Sequence, residues 1–334
     1  MTRAEFLDLV GAAGLIPGPS STEVAIYVGY RRAGWRGLLI AGLCFILPAA
    51  LMVTAIAWAY VRFGRLPAVG GVLYGIKAVI IAVVAQALVA FGRTAIKSRW
   101  LLAVGVAAAV ASALGVSPIF ILVASGVASA ASRVGRLPDA AAMQLVWPAA
   151  WGAPAVAAAT PAGLGKLFLV FLKIGAIVFG SGYVLLAFLR ADLVERTHWL
   201  TEAQLIDAVA VGQFTPGPVF TTATFAGYVV AGIPGAVVAT VGIFLPSFAL
   251  VAVSGPLIPR IRRSRVAGAF LDGVNVASLA LMAVVGVQLG RAAIVDAATA
   301  VLAAGAAAVL WRWRVNSAWV VLGGGIAGAA IQRG

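Results

Sequence analysis

Charge is scarce in this sequence, and the side chains that most often carry catalysis are scarcer. Charged residues make up 10% of the 334 positions, against about 25% in a soluble domain. There is one histidine, His198, and one cysteine, Cys44, and the acids number ten against 24 Lys and Arg. A lone thiol makes no internal disulfide and no cysteine-based metal site. Cys44 lies inside an apolar segment and reads as a packing residue. His198 falls in a polar stretch and reads as a solvated loop residue. An active site needs a nucleophile, a base and an orienting group within mutual reach, and the sequence holds no such cluster. It therefore argues against an enzyme, and it calls for no metal and no cofactor.

What is present is apolar. Hydrophobic residues fill 63% of the chain, and segments 37–61, 100–132 and 208–259 carry no charge at all. About 20 apolar residues cross a bilayer as a helix, so the expected fold class is an all-α integral membrane protein in contact with lipid. The net charge of +14 would suggest nucleic acid in a soluble protein. Here the basic residues sit in short loops between apolar segments and form no continuous patch with aromatics, so no nucleic-acid partner is expected. A second copy of the chain is a candidate partner.

An internal repeat organises the sequence. Pro17-Gly18-Pro19 recurs as Pro216-Gly217-Pro218, Gly29-Tyr30 as Gly227-Tyr228, and Ala33-Gly34 as Ala231-Gly232. Leu47-Pro48 recurs as Leu245-Pro246, Gly75 as Gly273, and Gly92-Arg93 as Gly290-Arg291. Asp8 and Asp207 are likewise partners, just before the two Pro-Gly-Pro runs. The division is an N-terminal repeat over 1–136, an Ala/Pro-rich linker over 137–163 and a C-terminal repeat over 164–334. The second repeat opens with an apolar helix over 166–189 and a polar loop over 190–202. The first has no counterpart to these, so it is expected to lack its first helix: either that helix is lost or the start is assigned too late, the second being the favoured explanation.

Spans at 37–61, 70–91, 100–115 and 118–132, then 166–189, 235–255, 270–290, 297–311 and 315–332, sort the loops into two faces if each Pro-Gly-Pro region is re-entrant. One face holds Arg31, Arg32, Arg36, Arg93, Lys97, Arg99, Arg133, Arg136, Arg260, Arg262, Arg263, Arg265, Arg312 and Arg314. The other holds Arg62, Arg65, Arg190, Arg196 and Arg291. The richer face is expected to be cytoplasmic. On that map the two repeats run in opposite senses, an inverted-repeat architecture that places a substrate site near the midplane.

Proline ends a helix and glycine permits unusual torsions, so each Pro-Gly-Pro run predicts a broken helix. Ser20, Ser21 and Thr22 follow the first, and Thr221 and Thr222 the second, as N-cap hydroxyls. Free N–H groups at such a terminus attract anions, so Gly18, Ser20, Ser21, Thr22, Gly217, Thr221 and Thr222 are candidate anion-binding positions. The alternative is a pair of structural kinks whose hydroxyls bond the preceding turn. Lys77, inside a span, either holds the anion or pairs with Asp272 or another carboxylate, since ionisable groups there are costly. Lys173 joins the candidates, with snorkelling to the surface as its alternative. Arg31, Arg32 and Arg36 can recruit an anion at the inner mouth. Glu23 and Asp272 are candidates for carrying a coupling proton, the alternative for Glu23 being an acid in the first turn that suits a helix N-terminus. Gly71/Gly75 and Gly324/Gly328 have the spacing of close helix contacts.

The segments Leu15-Ile16-Pro17-Gly18-Pro19, Gly29-Tyr30-Arg31-Arg32-Ala33-Gly34-Trp35-Arg36-Gly37 and Phe45-Ile46-Leu47-Pro48 resemble the chromate ion transporter family in its two-domain form. So do Phe171-Leu172-Lys173-Ile174-Gly175, Phe179-Gly180-Ser181-Gly182, Gln213-Phe214-Thr215-Pro216-Gly217-Pro218 and Phe244-Leu245-Pro246. The resemblance implies chromate efflux that confers resistance, at a bacterial inner membrane, with sulfate or a related oxyanion as a competing or alternative substrate. Gly180-Ser181-Gly182 stands where the family more often has Gly-Gly-Pro, and Ser181 is a candidate anion contact on that footing. The absent first helix also admits an inactive, shortened member.

Overall fold

The computed structural model describes residues 18–64, 66–134, 163–178, 184–254, 264–313 and 315–332. The described residues form eleven α-helices and no strand. In chain order they are α1 (Ser20–Phe63), α2 (Pro67–Ala95), α3 (Arg99–Ala113), α4 (Pro118–Val134), α5 (Leu164–Ile177), α6 (Leu185–Leu189), α7 (Glu202–Phe214), α8 (Thr222–Ser254), α9 (Arg265–Ala293), α10 (Ala297–Trp313) and α11 (Ser317–Ile331). A π-helix, Arg190–Arg196, follows α6, and a 3₁₀ turn, Val219–Thr221, precedes α8. Four helices are long and apolar enough to cross a bilayer: Ser20–Phe63, Val69–Ala95, Val219–Val253 and Arg265–Ala293. Large apolar side chains point outward along them and along the shorter helices, among them Leu51, Val253, Val301 and Ile326. In water such a surface would drive aggregation; against lipid it is the solvated face. The molecule is an all-α, multi-pass membrane protein.

The two longest helices each fold back on themselves. In α1 the break is at Ala33 (φ −142°, ψ 24°) and Gly34 (φ 58°, ψ −141°). In α8 it is at Ala231 (φ −145°, ψ 25°) and Gly232 (φ 63°, ψ −151°). Two repeat-related sites thus adopt one backbone conformation that only glycine supports easily. The limbs close tightly, because Gly29 lies against the backbone of Gly37, and Gly227 against that of Gly235. Within each long helix the departure from helical geometry thus lies one limb beyond its Pro-Gly-Pro run.

The two sequence halves are interleaved in space. Helices α3 and α4, from the first half, pack on α9 of the second, while α10 and α11 pack on α2 of the first. Gly75 seats against Gly324 and Gly328, and Gly71 against Gly328 and Ala329, so the two glycine pairs read from the sequence meet each other. At the related crossing, Gly273 seats against Ser125 and Ser129. Helices α1 and α8 also contact each other directly, and α5 covers α8.

Three expectations are corrected. The apolar segment 166–189 is not one helix: α5 ends at Ile177, and Val178 is extended. The polar stretch after it is not a loop, since 190–196 is a π-helix with Asp192 and Leu193 buried. Cys44 does not pack inside: it is exposed, whereas its repeat counterpart Gly242 lies under Phe168 and Phe171 of α5.

Candidate functional site

The two Pro-Gly-Pro turns are built alike. Gly18 has φ 140° and Gly217 φ 142°, and in each case the following proline is the residue before helix. Pro19 precedes α1, and Pro218 precedes the 3₁₀ turn, in both cases without a side-chain cap. Each turn seats on the other half. A Cβ on Gly18 would stand 2.6 Å from Ser247 Oγ, and one on Gly217 would overlap Ala49 Cβ. Ser247 and Ala49 are repeat partners, each one residue past the proline of its helix (Pro246 and Pro48). The contact is therefore reciprocal. The Gly18 N–H is donated to the Val178 carbonyl at 2.7 Å, which ties this turn to the end of α5.

The hydroxyl residues do not act as N-caps. Ser20 opens α1 as its first helical residue, and the Thr22 and Glu23 N–H groups donate to the Pro19 carbonyl at 2.8 and 3.1 Å. Thr221 Oγ1 donates to the Pro218 carbonyl at 2.9 Å, and Thr222 Oγ1 to the Val219 carbonyl at 2.7 Å. In the second half the hydroxyl protons are thus spent on the preceding turn. In the first half Ser20 and Ser21 carry the N–H groups that a helix start leaves without an intrahelical acceptor. Thr22 and Glu23 are fully buried, and neither Thr22 Oγ1 nor either Glu23 oxygen has a hydrogen-bond partner among the described residues. Ser247 Oγ is in the same state, on the opposing helix.

The basic candidates separate. Lys77 Nζ lies 3.2 Å from Asp207 Oδ2, and the Tyr60 hydroxyl donates to the same oxygen at 2.9 Å. Asp207 is buried in α7, which starts from a Thr201–Gln204 capping box. Asp272 is not the partner of Lys77; it pairs with Lys97 at 2.6 Å. Lys173 does not snorkel free, because its Nζ meets Asp192 of the π-helix at 2.5 Å. Arg31, Arg32 and Arg36 are exposed around the α1 turn. Arg31 is about 20 Å along the limb from Gly18 at 1.5 Å per residue, so the cluster does not join the Pro-Gly-Pro turn. Ser181 and Asp8 lie outside the described residues. The sequence reading gave no weight to Ser247, Tyr60 or the Val178 carbonyl. Only Ser247 had a signal: it is a hydroxyl where the other repeat has Ala49.

A site with these parts can offer backbone N–H donors to an anion at the Gly18 turn, with buried hydroxyls beside it. Among the described residues no three His, Cys, Asp or Glu side chains cluster as metal ligands. The family model described as Chromate transporter matches residues 1–130 and 165–329. The chain is 34% identical over 351 residues to the Chromate transport protein of Cupriavidus metallidurans, covering 99% of this chain and 83% of that one. It is 31% identical to the Probable chromate transport protein of Synechococcus elongatus (95% and 81% covered) and 31% identical to the Chromate transport protein of Pseudomonas aeruginosa (98% and 83%). No solved structure matches it. With the family model spanning most of the chain, including both repeats, this protein belongs to the chromate transporter family.

Proposed function

We propose that the chain is a secondary carrier that exports chromate across the bacterial inner membrane and so confers resistance, with sulfate as a competing oxyanion. The observation that carries the reading is the reciprocal seating of the two Pro-Gly-Pro turns, Gly18 against Ser247 and Gly217 against Ala49. On this reading residues 1–136 and 164–334 are inverted repeats, and the oxyanion binds where their broken helices cross. Chromate is a tetrahedral dianion, and burying it without donors costs tens of kcal/mol by Born solvation. On this reading the N–H groups of Ser20 and Ser21 at the α1 start supply donors, and irregular backbone at membrane depth is tolerated where it lines a cavity. Lys77 contributes positive charge only by loosening Asp207.

Direction follows from voltage. One charge crossing the membrane is worth about 2.3 kcal/mol per 100 mV. A bare dianion leaving a negative interior therefore gains about 4.6 kcal/mol per 100 mV. The test is uptake of radiolabelled chromate into everted vesicles with an imposed potential. Uptake should follow the potential, fall when unlabelled sulfate is added, and drop in Lys77→Ala and in Ser20→Pro, which removes one of these N–H donors at a first helical position that tolerates proline. Voltage-independent vesicles, equal to vesicles without the protein, would refute the carrier. Uptake of sulfate with none of chromate would leave the scaffold reading and reassign the substrate.

A further inference from the structure

The Gly18 turn holds an acid that transport of a bare dianion does not use. Glu23 has no exposed surface, and among the described residues neither of its oxygens has a hydrogen-bond partner. Its side chain folds back from the first turn of α1 and lies over Gly18, where a Cβ on the glycine would overlap Oε1. Ser247 Oγ, from α8 in the other half, flanks the same point and is also buried without a partner. The remaining described neighbours offer no compensating charge. The end of α5 presents the Val178 carbonyl, which already accepts from Gly18. The second limb of α1 and α8 present Leu38 and Val251 around Ile26 and Tyr27. Along its own limb the nearest titratable groups are Tyr27 and then Tyr30 and Arg31, toward the exposed turn. Among the described residues no side chain hydrogen-bonds to either Glu23 oxygen.

Burial without a partner favours the neutral acid over a carboxylate. A helix start, however, favours a negative charge. The Glu23 carboxylate and a bound oxyanion are therefore rivals for one turn, since two buried anions side by side repel. We propose that Glu23 binds a proton whenever the oxyanion occupies the Gly18 turn, so that one proton travels with each dianion. This rests on the carrier reading and deepens it. As the anion enters, the carboxylate takes a proton from water on that side and an O–H bond forms, with Ser247 Oγ placed beside it as acceptor. As the anion leaves on the other side, the O–H bond breaks, the proton goes to water, and the carboxylate returns over Gly18. Net charge per turnover is then one negative rather than two, and an interior-negative potential still drives it outward.

The experiment uses the purified full chain in liposomes that hold a pH-sensitive dye. Chromate is supplied under a clamped potential, in medium alkaline enough that chromate itself carries no proton. The native protein should move one proton per chromate. Glu23→Gln should carry chromate without proton movement. At about 60 mV with no pH gradient, the final chromate ratio should be about tenfold for the native protein and about hundredfold for the variant, because each charge is worth about tenfold there. Chromate flux by the native protein with no accompanying proton overturns the inference and leaves the carrier standing. Proton movement that persists in Glu23→Gln also overturns it. Absence of chromate flux in the native protein overturns the carrier reading itself. If Glu23→Gln does not fold, the native stoichiometry decides alone.

Discussion

Lys77 Nζ and Asp207 Oδ2 lie 3.2 Å apart across the boundary between the two repeats. Asp207 keeps 2% of its side-chain surface and Lys77 23%, so the pair is buried on one side and wetted on the other. Breaking a fully buried pair costs about 3–5 kcal/mol, and solvent at Lys77 should reduce this to about 2–3. Asp207→Ala should lower the melting temperature of the purified protein in detergent accordingly. The double variant Lys77→Met/Asp207→Leu should recover most of the loss, because it leaves no orphaned charge. A double variant no better than Asp207→Ala would mean that Tyr60, and not Lys77, is the partner that matters.

The Gly75 crossing sets a second expectation. A methyl group on Gly75 would overlap the Gly324 carbonyl oxygen and reach 2.8 Å from Gly328 Cα, both backbone atoms that cannot rotate away. A methyl on Gly92, on the same helix, would sit 3.6 Å from the flexible end of Leu279, an ordinary contact. Overpacking costs about 1–3 kcal/mol and sometimes more. Gly75→Ala should therefore separate α2 from α11 and lower yield and melting temperature, while Gly92→Ala should be neutral. Equal behaviour of the two in thermal unfolding would contradict the close crossing.

The features that act on the backbone were legible in the sequence. Pro-Gly-Pro and the glycine pairs at 71/75 and 324/328 fix torsions or approach distances whatever surrounds them, whereas the Ala-Gly reversals stood out only as repeat identities. The repeat then doubled each signal. Partners were not legible. The sequence places Asp272 one turn from the repeat counterpart of Lys77, yet Lys77 meets Asp207. The reason is that α2 packs both on α9 and on α7, a choice that no local pattern records. The hydroxyls at 221 and 222 suited an anion site by type, but a threonine near a helix start can equally donate to the turn behind it, and these do. The π-helix at 190–196 was read as a loop because its charges hide how far Asp192 is buried.

Asp296 gives an expectation for pH. Its carboxylate accepts the Thr299 N–H at 2.8 Å and the Tyr74 hydroxyl at 2.6 Å, between α9 and α10. The Thr299 N–H first, and then the Tyr74 hydroxyl, hold it below the ordinary carboxylate range. A group lowered in the folded state adds stability that is fully present above its unfolded value, about 3.9. That contribution is lost as pH falls through the lower folded value. Asp296→Asn should therefore melt below the native protein near neutral pH, and the gap should close as pH falls below about 4. Melting curves of both proteins from neutral to acid pH test this through their difference. A gap that stays constant would mean that the carboxylate charge plays no part.

The paired turns at Gly34 and Gly232 allow backbone strain to be isolated from packing. A methyl on either glycine would meet nothing within 4 Å. Any cost of alanine there is thus torsional, from positive φ combined with strongly negative ψ, a region that glycine alone occupies readily. That cost is on the order of 1–3 kcal/mol. Because the two turns share their angles to within about ten degrees, Gly34→Ala and Gly232→Ala should destabilise by similar amounts in denaturant or thermal unfolding. The sites are in separate turns without shared partners, so the double variant should show the sum. Gly29→Ala, by contrast, would drive a methyl into the Gly37 backbone and should cost more than either. A harmless Gly34→Ala beside a damaging Gly232→Ala would show that the first turn can relax where the second cannot, and that the two halves, though alike in backbone, differ in rigidity.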